Sequence, residues 1–435
     1  MDGPGRSARY RSTTSTKTRS RSRASALLGV ALVTAPLLAA CGSGDTGGNT
    51  LNLYAAPEEN FEKVIESCNA SANGKYNIVY NKLPRGADGQ REQMVRRLAA
   101  GDDEMDILYL DSPWLAEFAE AGWIREWTGN YKEEAERGVL AGPLESTRYK
   151  NRTYAATKNT NVQLLWYRDD VVPKPPETWA EMIAQAKALK AAGKPYTAVM
   201  TGAQYEGLVV QYNTMVASAG GKIISEDGLT AVVDDGAVRA LSTLKDFATS
   251  GIASASLTNS QEDEVRKEFQ GGNSAFQLNW PYVYASMQKE KPDLAKNFKW
   301  ARYPGIDKGK PSKVTIGGAN YGVSTYSTKA DLAFEAVLCL RKPENQLYSA
   351  INSGVAPTIE SVYDRPEMTE KYPMKETIRE ELRDAANRPL TAAWQNVSTV
   401  LSTVLSPPAS IDPQKTAARL RTELQAAIDS KGVMP

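Results

Sequence analysis

Residues 50–112 read TLNLYAAPEENFEKVIESCNASANGKYNIVYNKLPRGADGQREQMVRRLAAGDDEMDILYLDS, and their hydrophobic periodicity decides the fold class. TLNLYA alternates as a strand does. In EENFEKVIESCNA the apolar positions Phe61, Val64, Ile65 and Cys68 then fall at i, i+3, i+4 and i+7, one face of an amphipathic helix. YNIVYNKLP reads as a second strand, DGQREQMVRRLAAG as a helix ended by Gly101, and MDILYLDS as a third strand. The order βαβαβ predicts an α/β fold with a parallel sheet, helices on both its faces, and ligands gathering beyond the carboxyl ends of the strands. Asp111 stands at such an end, and Pro113 opens the helix expected after it.

A second α/β stretch follows a connection around residues 158–161. TNVQLLWYR is strand-like, TWAEMIAQAKALKAAG is a helix with Thr178 as its N-cap, and YTAVMT, GGKIIS, SAFQLNW and FKWARYP supply short strands. TIGGANYGVS is extended, KADLAFEAVLCLRK resumes the helical pattern, and the tail from Ala385 is mostly helical. No repeat at solenoid spacing is visible.

Upstream of the first strand the character changes. Residues 1–23 carry seven basic side chains against one acid, Asp2, and residues 24–40 carry no charge, the order of a secretory signal peptide. ALLGVALVTAPLLAA is shorter than the roughly 20 apolar residues a bilayer requires, and Pro36 interrupts it. No consecutive arginine pair precedes the apolar core, so the general secretory route fits better than the twin-arginine one. At the cut, Leu38-Ala39-Ala40-Cys41 resembles the lipobox of bacterial lipoproteins. That resemblance makes Cys41 a lipid-bearing first mature residue, held on the extracytoplasmic face of the cell membrane; the plainer alternative is cleavage after Ala40 and free secretion. The glycine-rich run that follows, within 41–49, is then a flexible tether.

Composition excludes several function classes. Removing the signal from 52 basic and 51 acidic residues leaves 45 against 50, and nothing in that balance suggests nucleic acid, which requires a basic face. The chain has no histidine, so Ser-His-Asp, Cys-His and zinc-histidine sites are excluded together. No cofactor or metal is expected. With Cys41 assigned to lipid, Cys68 and Cys339 form an even pair in an oxidising location, either bridged or left as two buried thiols. A bridge would close a long loop, a constraint of about 3 to 5 kcal/mol in the chain-entropy model.

LPRGADGQREQMVRRLAAGDDEMDILYLDSPWLAEFAEAGWI, GNSAFQLNWPYVY, GGANYGVS and NRPLTAAWQNVSTVL together resemble the extracellular sugar-binding lipoproteins of ABC importers. Within the maltose-type solute-binding family the similarity is to the actinobacterial trehalose-binding LpqY group, and LPRGADGQR is its most specific element. The resemblance spans essentially all of the mature chain. It implies a two-lobed periplasmic-binding-protein-like fold with several hinge crossings, a neutral sugar held in the interlobe cleft without reaction, and no enzyme activity. It also implies a monomer that delivers its sugar to permease subunits driven by a cytoplasmic ATPase, whose P-loop this chain lacks. The lobes would be 50–160 with 318–378, and 161–317 with 379–435, after a signal of 1–40 and a tether of 41–49; Cys68 and Cys339 then share the first lobe.

A sugar presents hydroxyls that donate and accept, so its site requires carboxylates, amides and an aromatic face. Asp111 suits bidentate acceptance from adjacent hydroxyls, and Trp280 would supply the stacking face where it is not simply core. Asn161 would bind through both amide atoms, or else serve the turn. Asn279 points to the other side of its strand and serves structure. Glu59, after the first strand, is a ligand or a helix-dipole acid, and Arg388 a five-donor clamp or an ordinary ion pair. In GGAN, residues 317–320, Gly317 and Asn320 bring backbone and amide near the cleft, or only bend the chain. Tyr282 and Arg85 complete the candidates. Maltose or a maltodextrin is the alternative ligand. The alternative class is a glycoside hydrolase with Asp111 and Glu59 as its carboxylates.

Overall fold

The computed structural model describes residues 48–430, so the signal peptide, Cys41 and most of the tether lie outside the described residues. Its strands, in chain order, are β1 (Thr50–Ala55), β2 (Asn77–Lys82), β3 (Ile107–Asp111), β4 (Arg148–Tyr149), β5 (Arg152–Thr153), β6 (Ala156–Asn161), β7 (Leu164–Arg168), β8 (Thr197–Val199), β9 (Ser274–Asn279), β10 (Phe298–Ala301) and β11 (Gly317–Val323). Five of them form a sheet in the order β2-β1-β3-β11-β6, four a second sheet in the order β10-β7-β9-β8, and β4 with β5 a small hairpin.

The opening βαβαβ reading holds. The helix Phe61–Ser71 buries Phe61, Val64, Ile65 and Cys68, and the helix Ala87–Ala99 stops at Gly101, whose φ of +73° favours a residue without a side chain. β1 pairs in parallel with β2 and β3. The first sheet is nevertheless mixed rather than parallel, because β11 runs antiparallel to both β3 and β6. β3 ends at Asp111, whereas β11 arrives from the second sheet at that same end and must run away from it.

TNVQLLWYR, expected as one strand, splits: β6 ends at Asn161 in the first sheet and β7 begins at Leu164 in the second, so the chain crosses between sheets there. It returns between β10 and β11. GGKIIS forms no strand, only an isolated bridge between Ile224 and Ala231, and YTAVMT keeps three strand residues. Thr178 caps its helix as expected, accepting from the Glu181 N–H at 3.2 Å. The boundary expected at residues 378 and 379 falls within the helix Lys375–Asp384; its buried Glu381 accepts from the Tyr303 N–H at 2.6 Å, beside β10.

A disulfide joins Cys68 to Cys339, with Cα atoms 5.8 Å apart, and ties the helix Phe61–Ser71 to the helix Ala330–Leu340. Both cysteines sit in an apolar core with Leu51, Leu53, Tyr321 and Val337, against the first sheet. Among the described residues no helix is long and apolar enough to cross a membrane.

Candidate functional site

The site is built where β3 ends and β11 begins. Asp111 closes β3, and the short turn Ser112–Trp114 that follows, with Pro113 inside it, takes no capping bond from the Asp111 side chain. The carboxylate accepts instead from Arg388: Nη2 lies 2.8 Å from Oδ1, and also donates to Ser112 Oγ at 2.9 Å. Register carries Asp111 onto Ala319 of β11 and Ala319 onto Asn159 of β6; two residues along, Gly317 faces Asn161.

Glycine at position 317 is a packing requirement. A Cβ there would meet the Trp280 ring at 2.8 Å and the Asn161 Cβ at 3.4 Å, so the indole lies directly over the β6–β11 edge. Gly318, at φ +103°, lies so close to β6 that a Cβ would come within 2.3 Å of the Asn159 carbonyl oxygen. The backbone at Trp280 is held by its neighbour: the Trp280 backbone N–H donates to Asn279 Oδ1 at 2.8 Å, while Asn279 Nδ2 donates to the Glu262 carbonyl at 3.0 Å. Asn279 is thus structural, as its strand position predicts.

Two polar atoms here are buried and unpartnered, Asn161 Oδ1 and Arg388 Nε. A buried group without a partner carries a desolvation cost of about 1–3 kcal/mol. A polyol bound between them would supply the missing acceptor and donor.

Two acids that the sequence did not single out complete the wall. Glu206 begins the helix Glu206–Ser218 and accepts from Arg388 Nη1 at 2.7 Å and from Ser398 Oγ. Burial raises the Glu206 pKa, with the Arg388 charge and the Ser398 hydroxyl pulling it back. Burial draws the Arg388 pKa down, but the charges of Asp111 and Glu206 outweigh it and leave the guanidinium above its ordinary range. Glu262, at the start of the helix Glu262–Gln270, is raised by burial and drawn back down by the Tyr205 and Trp280 side chains. Both acids stand in first helical turns, where acids are common for dipole reasons, so nothing in the sequence separated them from ordinary helix starts.

Asp111, Asn161, Gly317, Trp280 and Arg388 therefore come together as one wall. The other candidates lie differently. Glu59 is exposed and pairs with Lys289 at 2.7 Å. Asn320 is buried, its amide donating to the Ser146 carbonyl at 3.0 Å. Tyr282 donates to Asp263 Oδ1 at 3.4 Å, and Arg85 is exposed in the loop before the helix Ala87–Ala99. Between Thr157 and Asn159 the β6–β11 register shifts, and the extra residue, Lys158, turns inward to pair with Glu58 beneath the Phe61 ring.

Two α/β halves joined by strand crossings, with an aromatic ring and paired charges where they meet, define a binding protein that holds a small polar solute. The chain belongs to the bacterial extracellular solute-binding protein family, which matches residues 50–347; its members bind solutes and are not enzymes. A protein of Deinococcus radiodurans described as a probable ABC transporter-binding protein is 26% identical over 378 residues, which cover 82% of this chain and 87% of its own. Among solved structures, maltose-bound MalE3 of T. maritima is 25% identical with a TM-score of 0.78, covering 86% of this chain and 99% of that one. The GacH receptor of Streptomyces glaucescens, solved unliganded and with acarbose, is 19% identical with a TM-score of 0.76, over 88% of this chain and 98% of its own, a likeness of fold.

Proposed function

We propose that this protein is the sugar-binding lipoprotein of an ABC importer, closing over an α-glucoside disaccharide and handing it to a membrane permease. The observation that carries the reading is the Trp280 ring over Gly317, beside an unpartnered Asn161 oxygen and an Arg388 guanidinium already bound to Asp111. Apolar ring faces stack on the indole while hydroxyls find carboxylate, amide and guanidinium partners. A ligand touching both halves favours the arrangement in which they are closest. Asp111 and Glu206 share one guanidinium, which suits holding a solute and leaves neither as a free acid or base.

Trehalose is the favoured ligand, on the resemblance of LPRGADGQR to trehalose-binding proteins; the maltose in T. maritima MalE3 supports maltose as the second reading. The relative named for an ABC transporter supports a permease partner. Lipid on Cys41 would keep the protein at that permease, with sugar affinity independent of the anchor.

Calorimetric titration with trehalose, maltose, sucrose and glucose, followed by analysis of the recovered sugar, tests this. One-to-one heat of binding with trehalose strongest and all sugar intact is expected. Absence of heat with every sugar would overturn the reading.

A further inference from the structure

The Arg388 guanidinium has two carboxylate partners, one from each half of the molecule. Asp111 ends β3 of the first sheet. Glu206 starts a helix that packs against the helices Asp235–Thr249 and Trp394–Leu405, and the second of these supplies Ser398, which donates to Glu206 Oε2. Arg388 itself belongs with that second group: two residues before it, Ala386 exchanges backbone hydrogen bonds of 2.9 Å with Val314 and Ile316. Its side chain is only 3% exposed, against 21% for Asp111 and 9% for Glu206. A guanidinium so buried is held by its counter-charges, and removing one without another in place is costly. A widening between the two sheets would take Asp111 and Ser112 away together and leave Glu206 as the remaining carboxylate on Arg388.

We propose that Glu206 is a positioning residue for solute binding: it holds the Arg388 guanidinium in place and aimed at the Asp111 side of the site while the two halves are apart, so that Nε is presented to the incoming solute. Asp111 is the partner that comes and goes, and Glu206 with Ser398 the one that stays. The proposal rests on the reading of the Arg388 site as a sugar site, and adds to it a residue that acts through the arginine.

The test is a double-mutant cycle on the full chain, using whichever of trehalose and maltose the unmodified protein binds more tightly. Glu206→Gln is expected to weaken affinity by about 10-fold or more in the native background, yet by less than about 2-fold where Arg388 is already glutamine. Ser398→Ala, which keeps the charge and loosens its hold, gives a smaller loss in the same direction and serves if Glu206→Gln folds poorly. Ligand-free crystal structures of the native protein and of Glu206→Gln supply a readout that needs no sugar. The guanidinium stays on residue 206 in the first and swings away in the second. Equal losses in both backgrounds, or an unmoved guanidinium in the variant, would overturn the role of Glu206. Failure of the native protein to bind either sugar would instead overturn the sugar reading, with the crystal structures still deciding on Glu206.

Discussion

Two ion pairs join elements of the first sheet to elements beyond it, and they differ in almost every physical respect. Arg388 and Asp111 meet at 2.8 Å with side chains 3% and 21% exposed, and share their contact with Glu206 and Ser112. Lys289 and Glu59 meet at 2.7 Å with side chains 70% and 65% exposed, and water competes for both. Attraction between desolvated charges is strong and breaking it leaves a charge stranded, whereas an exposed pair is screened and contributes little. The same residue types thus make a binding wall in one place and a solvated contact in the other, and burial decides which.

Removing charge from the buried cluster gives the largest expected effect. Arg388→Ala leaves Asp111 and Glu206 facing each other without their cation, so sugar affinity by calorimetry falls further than for any other single change, though to a measurable level, and the thermal midpoint drops; a full-affinity variant would break the comparison. Next comes Trp280→Ala, which removes the stacking face and the indole's bond to Glu262 but leaves the Arg388 cluster intact: affinity falls by about 100-fold with a smaller loss of stability. Gly317→Val tests the same contact from beneath, because its side chain meets the indole where a Cβ alone comes to 2.8 Å. Loss of affinity with retained secondary structure by circular dichroism is the expected result.

Away from the cleft, Cys68→Ser with Cys339→Ser removes a cross-link between two helices on one sheet. Stability in denaturant titration is expected to drop by about 2–5 kcal/mol while sugar affinity holds. Smallest of all, Glu59→Gln changes affinity by less than about 2-fold, an effect that disappears at high salt. A larger loss would return Glu59 to the ligand set.

The sequence displays the site residues at strand ends and crossings more openly than those at helix starts. Asp111 announces itself because it ends a hydrophobic strand run and precedes a proline, and Trp280 because it ends SAFQLNW. Asn161 and Gly317 are visible as a crossing and as a glycine in an extended run. Glu206 and Glu262 are hidden: each opens a helix, where an acid is favoured by the backbone alone, and only tertiary packing makes one a partner of Arg388 and the other a neighbour of Trp280. Asn320 shows the converse. It stands in the same glycine-bearing run as Gly317, yet strand alternation points it to the face opposite Gly317 and Ala319, where its amide meets Ser146. The antiparallel return of β11 was equally hidden, since periodicity within a strand says nothing of its direction beside another.

A crystal structure of the protein grown with trehalose tests the central claim most directly. The account predicts one sugar between the two sheets, a pyranose ring on the Trp280 face, and hydroxyls bonded to Asp111, Asn161 and Arg388. A structure with that wall bare and the sugar held elsewhere, or with trehalose absent at saturating concentration and maltose likewise, would contradict it.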